Sequence, residues 1–249
     1  VLLEKTDEGT FDAGVRARKL VHQLASARDP VFAVRVPASR IIGGYTVRDG
    51  AIVPNCAHGE IIDAVFRRTR VTVGLMTAAK MLSAVDPIIR YHRSRFRGGD
   101  AAQPGSRRFE LGLQQEEDAL HRLVDVWATG EAAASLGFAA ARVFDELDPL
   151  ERETAAHFAA EGVAPGRAQR RALEPAEQAA LAYVAELARP AWERRPDRVD
   201  APSRDPLVRF VLLDAVASVL GPAVKLWNTG HGATVMREAV SLMGGHGVT

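Results

Sequence analysis

Hydrophobic residues follow different patterns in the two parts of the chain. Up to about residue 55, β-branched residues alternate with polar ones between turn residues, as in VFAVRVP from Val31 and IIGGYTVRDGAIVP from Ile41. This alternation is typical of short paired strands. From about Ala57 onward, apolar residues recur every three or four positions, which predicts helices. We therefore expect a β-rich segment over residues 1–55 and a helical domain over residues 56–249.

The first predicted helix begins near Ala57 and is long. Its apolar period indicates one buried face, marked by Ile62, Val65, Thr69, Val73, Met76, Lys80 and Leu82. Pro87 lies inside this helix, and proline lacks the N–H group that an interior helical hydrogen bond needs. We therefore expect a kink or a break near Asp86.

Further helices follow a loop rich in glycine. The second long helix has a buried side marked by Leu113, Leu120, Leu123, Trp127 and Leu136. Residues 149–204 are less regular, with short helical pieces, and suggest an insertion or a lid. One helix is predicted from about Asp205 to Asn228, and a last one ends at Gly244 and Gly245 as capping residues. The predicted fold is mainly α: an antiparallel helical bundle preceded by a short β-rich segment.

Composition excludes several classes of protein. The 249 residues are 47% hydrophobic and 25% charged, which favours a folded chain over a disordered one. The net charge of +1 provides no global field for nucleic acid or anionic membranes. The single cysteine, Cys56, fits a reducing, cytoplasmic compartment. Charged residues interrupt the apolar stretches, so no membrane span is expected, and the seven scattered histidines indicate no metal site.

Three segments carry the candidate chemistry. They are VFAVRVPASRIIGG from Val31, FRRTRVTVGLMTAAKMLSAVDPIIRYHRSRF from Phe66, and REAVSLMGGHGVT from Arg237. The second contains several arginines, whose planar guanidinium groups suit phosphates. The third ends in glycines, which allow a ligand to approach backbone N–H groups closely.

In this order and at these separations, the three segments resemble the acyl-CoA dehydrogenases. The most specific match is made by Thr69, Arg70, Tyr91 and Arg95 of the second segment. The resemblance implies the C-terminal portion of such an enzyme: the end of its middle β-domain and its C-terminal helical bundle. It further implies FAD as cofactor, oxidation of the α,β bond of an acyl-CoA thioester, electron-transfer flavoprotein or a similar acceptor, and a homodimer or homotetramer.

The resemblance also implies two groups of site residues. Arg67, Thr69 and Arg70 are expected along the bound CoA thioester. The FAD of the neighbouring subunit is expected to contact Arg95, Ser241, Gly244, Gly245 and Gly247. The chain departs from the family pattern at four places: Ser241 replaces a glutamine, Val248 an aromatic residue, Arg67 an aspartate, and Arg97-Gly98-Gly99 a Phe-Gly ending.

The family's catalytic glutamate has no counterpart among these residues. In most members it lies beyond the glycine loop, and this sequence stops at Thr249. In a minority it immediately precedes the arginine matched by Arg70, where this chain has Thr69. Glu60 and Asp63 lie earlier on the helix and not at the family position. We therefore assign no catalytic residue within the chain and expect this chain alone to be inactive.

Two other classes of function stay open. One is a non-catalytic or DNA-associating protein of the same fold, because two clusters are locally basic: Arg93, Arg95 and Arg97, and Arg167, Arg170 and Arg171. Interspersed acidic residues and the lack of accompanying aromatic residues argue against nucleic acid as a partner. The other class is a purely structural helical bundle that serves oligomerisation.

Overall fold

Strands occupy the beginning of the chain, and helices occupy the rest. The computed structural model describes residues 1–17, 26–95, 104–164 and 166–247. Within these ranges the strands are β1 (Glu8–Asp12), β2 (Val15–Ala17), β3 (Ser26–Arg28), β4 (Val31–Arg35), β5 (Tyr45–Arg48) and β6 (Ala51–Pro54). The α-helices are α1 (His58–Ser94), α2 (Arg107–Leu111), α3 (Glu117–Ala160), α4 (Arg167–Leu187), α5 (Pro196–Arg204) and α6 (Pro206–Leu242). The mainly helical fold is therefore confirmed.

The first compact unit, Val1–Val65, contains three antiparallel strand pairs. Strand β1 pairs with β4, β2 with β3, and β5 with β6. The turn between β5 and β6 consists of Asp49 and Gly50, which have φ angles of 50° and 75°. Two residues at positive φ are what a two-residue hairpin turn of the I′ type requires. The predicted pairs of short strands are confirmed.

The second unit, Phe66–Thr249, is built on three long helices. Helices α1 and α6 run parallel. Gly74 of α1 lies beside Val224 of α6, and 18 residues later on each helix His92 of α1 contacts Leu242 of α6. Helix α3 runs antiparallel to both of them, as expected for neighbours in a bundle. The expected antiparallel packing thus holds for α3, whereas the α1–α6 pair is parallel.

The buried side of α3 follows a regular 3.5-residue spacing. Its buried positions up to Leu147 alternate in steps of three and four: Leu123, Val126, Gly130, Ala133, Gly137, Ala140, Phe144 and Leu147. This is the spacing of a coiled-coil seam. Small residues bring the helix axes close together, since a Cβ at Gly137 would lie 2.5 Å from Leu75 and one at Gly74 would lie 2.6 Å from Val224. The close packing of α1, α3 and α6 therefore depends on glycine residues, which are not part of the hydrophobic pattern of the sequence.

Proline residues do not interrupt the three long helices. Helix α1 continues through Pro87 to Ser94, so of the two predicted alternatives near Asp86, a kink or a break, the break was wrong. Helix α3 continues through Pro149 to Ala160, so residues 149–160 do not belong to an irregular segment. Helix α6 contains Pro222, as predicted, and continues past Asn228 to Leu242, so the two helices predicted over this range are one. Buried residues flank each proline, among them Ile88, Leu147 and Val224, and their packing offsets the lost hydrogen bond.

The remainder of the predicted insertion is also largely helical. Helix α4 has 21 residues, and α5 follows it after a short 3-10 helix, Ala191–Glu193. Ala176 and Ala180 of α4 pack against Val208 of α6. This part of the chain is therefore attached to the bundle by apolar contacts along α6.

The predicted buried faces of α1 and α3 were only partly correct. On α1, Val65, Thr69, Val73 and Lys80 are exposed, and the buried positions are Val71, Gly74, Ala78, Met81, Ile88 and His92. On α3, Leu123 is buried as predicted, but Leu120 and Trp127 are exposed. Apolar residues surround both helices, so periodicity alone did not identify the side that packs.

Two helices, α1 and α6, are long and apolar enough to cross a membrane, which we did not expect. Length and composition alone are weak indications, because the core helices of a bundle meet the same criterion. Helix α3 packs along α6 and exposes charged residues along its length: Asp125, Glu131, Arg142, Asp145 and Glu146. A bilayer around α6 would enclose these charges at a cost of several kcal/mol, roughly 2.5–3.5 for each Asp or Arg at the centre of a helix. The packing of the bundle therefore disfavours a membrane-spanning arrangement.

Candidate functional site

One end of the bundle is formed where α1 and α6 both finish. Nε2 of His92 lies 2.9 Å from the carbonyl oxygen of Leu242. Because a carbonyl oxygen only accepts hydrogen bonds, Nε2 carries the proton and donates it to this bond. The His92 side chain is 1% exposed, and among the described residues Nδ1 has no partner. His92 thus links the ends of two helices that are 150 residues apart in sequence.

The glycine turn follows directly after α6 at this end. Gly244 has a φ of 54°, the left-handed conformation that commonly ends a helix, as predicted for a capping residue. A Cβ at Gly244 would lie 2.7 Å from the Tyr91 hydroxyl, and a Cβ at Gly247 would collide with the Val240 carbonyl oxygen. A Cβ at Gly245 would meet no atom of the described chain within 4 Å. Gly244 and Gly247 are therefore required by the fold, whereas Gly245 borders open space.

Ser241 is held by a residue that the sequence did not indicate. Its hydroxyl oxygen accepts a hydrogen bond from Nη2 of Arg122, on α3. Arg122 also donates to Glu238, from Nε at 3.0 Å, and this bond raises the pKa of the Arg122 guanidinium above its ordinary value. Ser241 is therefore fixed between α3 and α6. No sequence signal could have identified Arg122, because it lies 119 residues away on another helix.

Arg95 lies just beyond α1 at the same end. Its backbone N–H donates to the carbonyl of His92 at 3.3 Å, and its side chain is exposed. Within the described residues, no hydrogen bond or ion pair holds its guanidinium. The negative ends of the α1 and α6 dipoles lie here, so an anion would need the positive charges of Arg93 and Arg95. Arg97 and Val248 fall outside the described residues.

Arg67 and Arg68 form ion pairs near the start of the helical unit. Nη2 of Arg67 lies 2.6 Å from the carboxylate of Asp214 and donates to the Ser218 hydroxyl at 3.2 Å, both on α6. Nη2 of Arg68 lies 2.6 Å from carboxylate oxygens of both Asp148 and Glu151 on α3. The hydrogen bond to Asp148 raises the pKa of Arg68 above its ordinary value.

Both guanidinium groups also lie near one aromatic ring. The Cζ atoms of Arg67 and Arg68 are 6.0 and 5.8 Å from the centroid of Phe144. These contacts are within reach of a cation–π attraction and tie α1 to α3, while the Asp214 ion pair of Arg67 ties α1 to α6. Arg67 therefore has a structural role that the sequence did not predict.

The other two predicted substrate residues are available to a ligand. Thr69 is exposed, and Arg70 is partly exposed with no ion pair or hydrogen bond to its side chain in the described part of the chain. Along α1, Arg70 and Arg95 are 25 residues apart, or roughly 38 Å. The structure therefore brings the predicted cofactor residues together at one end and leaves the predicted substrate residues far from them within a single chain.

The carboxylates weighed as alternative bases lie at the beginning of α1. Glu60 accepts a hydrogen bond from the Ala57 backbone N–H at 3.0 Å, as a residue in the first turn of a helix often does. Asp63 is exposed. The contact of Glu60 is that of a helix cap.

A groove between α4 and α6 was not predicted. Its volume is about 470 Å³, within the range of small-ligand sites, and its lining is mostly apolar, including Leu181, Val184 and Phe210. The charged side chains on it are Glu177 and Asp214. Asp214 is paired with Arg67, so the mostly apolar lining suits an uncharged apolar group better than the phosphates of CoA.

Comparison with known protein families, with curated proteins and with solved structures found no match to this chain.

Proposed function

We propose that this chain is part of an FAD-dependent acyl-CoA dehydrogenase, and that the end of the bundle carrying Arg95, Ser241 and the turn Gly244–Gly247 binds the phosphates of FAD. One observation carries the proposal. Arg95 and Ser241 are predicted to contact the same cofactor. They are about 150 positions apart in the sequence, and they lie at the same end of the helical unit.

The chemistry of this end fits a dinucleotide. Arg95 provides an exposed guanidinium, which can form two parallel hydrogen bonds to a phosphate. Gly245 borders open space, so a phosphate can approach the turn closely. When bound, FAD would supply the acceptor for the β-hydrogen of an acyl-CoA thioester. The residues of this chain would hold and orient it.

The separation of the two candidate sites supports a further part of the proposal. Thr69 and Arg70 lie roughly 38 Å along α1 from Arg95, too far to act on the same flavin within one chain. We therefore propose that Arg70 contacts the CoA portion of a substrate bound to its own subunit, while Arg95 reaches the FAD held by a neighbouring subunit. This arrangement requires a homodimer or homotetramer. Electron-transfer flavoprotein or a similar acceptor and a cytoplasmic location complete the proposal.

Titration of the purified chain with FAD tests the cofactor site. Arg95→Ala should weaken FAD binding about tenfold or more, because a hydrogen bond to a charged group contributes roughly 1.5–3 kcal/mol. Arg90→Ala is the matched control, since Arg90 is an exposed arginine on the same helix that pairs with Asp86. Flavin fluorescence provides the dissociation constants. Equal constants for the two variants, or no binding by the wild type, would refute the proposal.

A second pair of variants separates ligand binding from folding. Gly245→Ala should fold normally and bind FAD less tightly, since a methyl group there fills open space beside the turn. Gly247→Ala should lower the melting temperature, because its Cβ would collide with the Val240 carbonyl.

A further inference from the structure

Helix α4 buries its small apolar residues and exposes its large ones. Ala176 and Ala180 are buried against Val208 of α6. Leu181 is 65% exposed and Val184 is 49% exposed, and both line the groove between α4 and α6. Large apolar side chains grouped beside a groove are typical of a binding surface. They mark this space, which we call the α4–α6 groove, as a candidate binding site.

The opposite wall of the α4–α6 groove belongs to α6. It is formed mainly by Phe210, Val211, Leu212 and Ala215, and the groove has a volume of about 470 Å³, which is enough for a small ligand. Contacts of the two alanines of α4 with Val208 hold the walls together. The groove is therefore formed within the helical unit of one chain and needs no cofactor to complete it.

The lining of the groove has one carboxylate without a counter-charge. Of its two acidic residues, Asp214 lies 2.6 Å from Nη2 of Arg67 and is paired with it. Glu177 is exposed, and within the described residues no ion pair or hydrogen bond holds its carboxylate. The described lining contains no lysine or arginine. The groove thus combines an apolar lining with a single negative charge that is free to meet a ligand.

We propose that the α4–α6 groove binds a small amphipathic amine, with its apolar body against Leu181 and Phe210 and its ammonium group beside Glu177. The apolar body removes the exposed side chains from water, which is favourable in proportion to the area covered. The ammonium group brings Glu177 the opposite charge and the hydrogen-bond donors that a carboxylate can accept.

Other kinds of occupant are less well matched to the groove. The carboxylate of a fatty acid and the phosphates of CoA would each bring a like charge to Glu177, which is unfavourable. A wholly apolar protein helix would cover Glu177 without giving it a partner, and an unpaired charge is costly to bury. A cationic end on a small apolar body avoids both costs.

The groove is distinct from the site in the proposed function. Ala215 of the groove lies roughly 40 Å along α6 from Leu242, next to the proposed flavin site. The groove has a negative charge and suits cations, whereas the flavin site is proposed to hold phosphates. The inference does not depend on FAD, so failure of flavin binding would leave it standing.

Calorimetric titration of the full chain tests the class of ligand. Octylamine, octanol and octanoate are suitable probes, because they have the same apolar chain and differ in the charge of its end. Octylamine should bind about tenfold more tightly than octanoate, with octanol between them, since attraction to Glu177 is exchanged for repulsion. Binding of none of the three probes, or equal binding of all three, would overturn the inference.

Replacement of the carboxylate tests its role. Glu177→Gln should weaken octylamine binding about three- to fivefold and leave octanol binding unchanged, because an exposed ion pair contributes modestly. Glu174→Gln is the matched control, since Glu174 is an exposed glutamate of the same helix that lies outside the groove lining. It should bind octylamine as the wild type does. An unchanged octylamine affinity in Glu177→Gln would overturn the proposed contact.

Filling the groove tests the location. Ala215→Phe places a ring in the groove and should abolish octylamine binding while circular dichroism stays unchanged, because Ala215 is exposed. Ala223→Phe, at an exposed alanine of the same helix outside the groove lining, is the control and should bind normally. Octylamine binding that survives Ala215→Phe would place the ligand elsewhere and overturn the inference. So would a lower mass of Ala215→Phe in sedimentation equilibrium with no amine bound by the wild type, which would show that a second copy occupies the groove.

Discussion

Two buried polar residues connect the long helices of this protein. Asn228 is fully buried, and its Nδ2 donates to the carbonyl oxygens of Gly74 on α1 and Ala133 on α3, at 3.1 and 3.0 Å. His92 joins α1 to α6 at the end of the bundle. If the helices were shifted relative to one another, a buried polar side chain of this kind would lose its hydrogen-bond partners. These residues therefore favour one alignment of the three helices.

Replacing Asn228 should measure this effect. Asn228→Ala should lower the free energy of unfolding by about 2–3 kcal/mol, since it removes two buried hydrogen bonds and leaves a small cavity. Thr229→Ala is the control: within the described residues its hydroxyl bonds only to the Lys225 carbonyl of the same helix, and its loss should cost little. Urea unfolding at a fixed protein concentration provides both values. A change below about 0.5 kcal/mol for Asn228→Ala would contradict this role.

At the scale of elements, the segment from α4 to α6 is ordered by a buried carboxylate as well as by apolar contacts. The Glu186 side chain is 6% exposed, and it accepts a hydrogen bond from the Arg195 backbone N–H at 2.7 Å. That bond, together with the charges of Arg195 and Arg189, holds the pKa of Glu186 below its ordinary value of 4.5, against the opposing effect of burial. Glu186 thereby connects the end of α4 to the segment that leads into α5.

This contact makes stability depend on pH in a defined direction. A carboxyl group whose pKa is lowered by folding stabilises the native state fully above its unfolded value, near 4.5, and less as the pH falls through the native value. The stability difference between wild type and Glu186→Gln should therefore be constant from pH 5 to 7 and shrink below about 4.5. Urea unfolding between pH 3 and 7 measures it. A difference that does not change with pH would argue against the contact.

At the scale of the whole molecule, the predicted cofactor and substrate residues lie far apart. Arg95, Ser241 and the glycine turn share one end of the helical unit, while Thr69 and Arg70 are roughly 38 Å away along α1. Under the proposed function, a complete site needs two subunits. It also needs a carboxylate base, and the position next to Arg70 has the hydroxyl of Thr69.

This 249-residue chain should therefore not dehydrogenate acyl-CoA thioesters, even when supplied with FAD. A neutral hydroxyl is too weak a base at pH 7 to remove an α-proton, and loss of a general base typically costs about 10²- to 10⁴-fold in rate. The measurement is anaerobic bleaching of the flavin band by a panel of saturated acyl-CoA thioesters. Rapid bleaching would instead point to a carboxylate within the chain, with Glu60 and Asp63 the first residues to replace.

The sequence by itself determined the local features of this protein. The change from strands to helices near Ala57, the start of α6 after Asp205 and its end before Gly244 were all predicted and are confirmed. Each depends on interactions within a few residues. The Asp205 carboxylate, for example, accepts hydrogen bonds from the N–H groups of Leu207 and Val208.

Only the tertiary structure decided the rest, because the contacts that matter join distant positions. The continuity of α1 through Pro87, of α3 through Pro149 and of α6 beyond Asn228 depends on packing against other helices rather than on local preference. The pairing of Arg67 with Asp214 spans 147 residues, and that of Arg122 with Ser241 spans 119. Small residues likewise decide which of several apolar faces of a helix is buried, because they allow a partner helix to approach. The hydrophobic pattern along one helix contains no information about that partner.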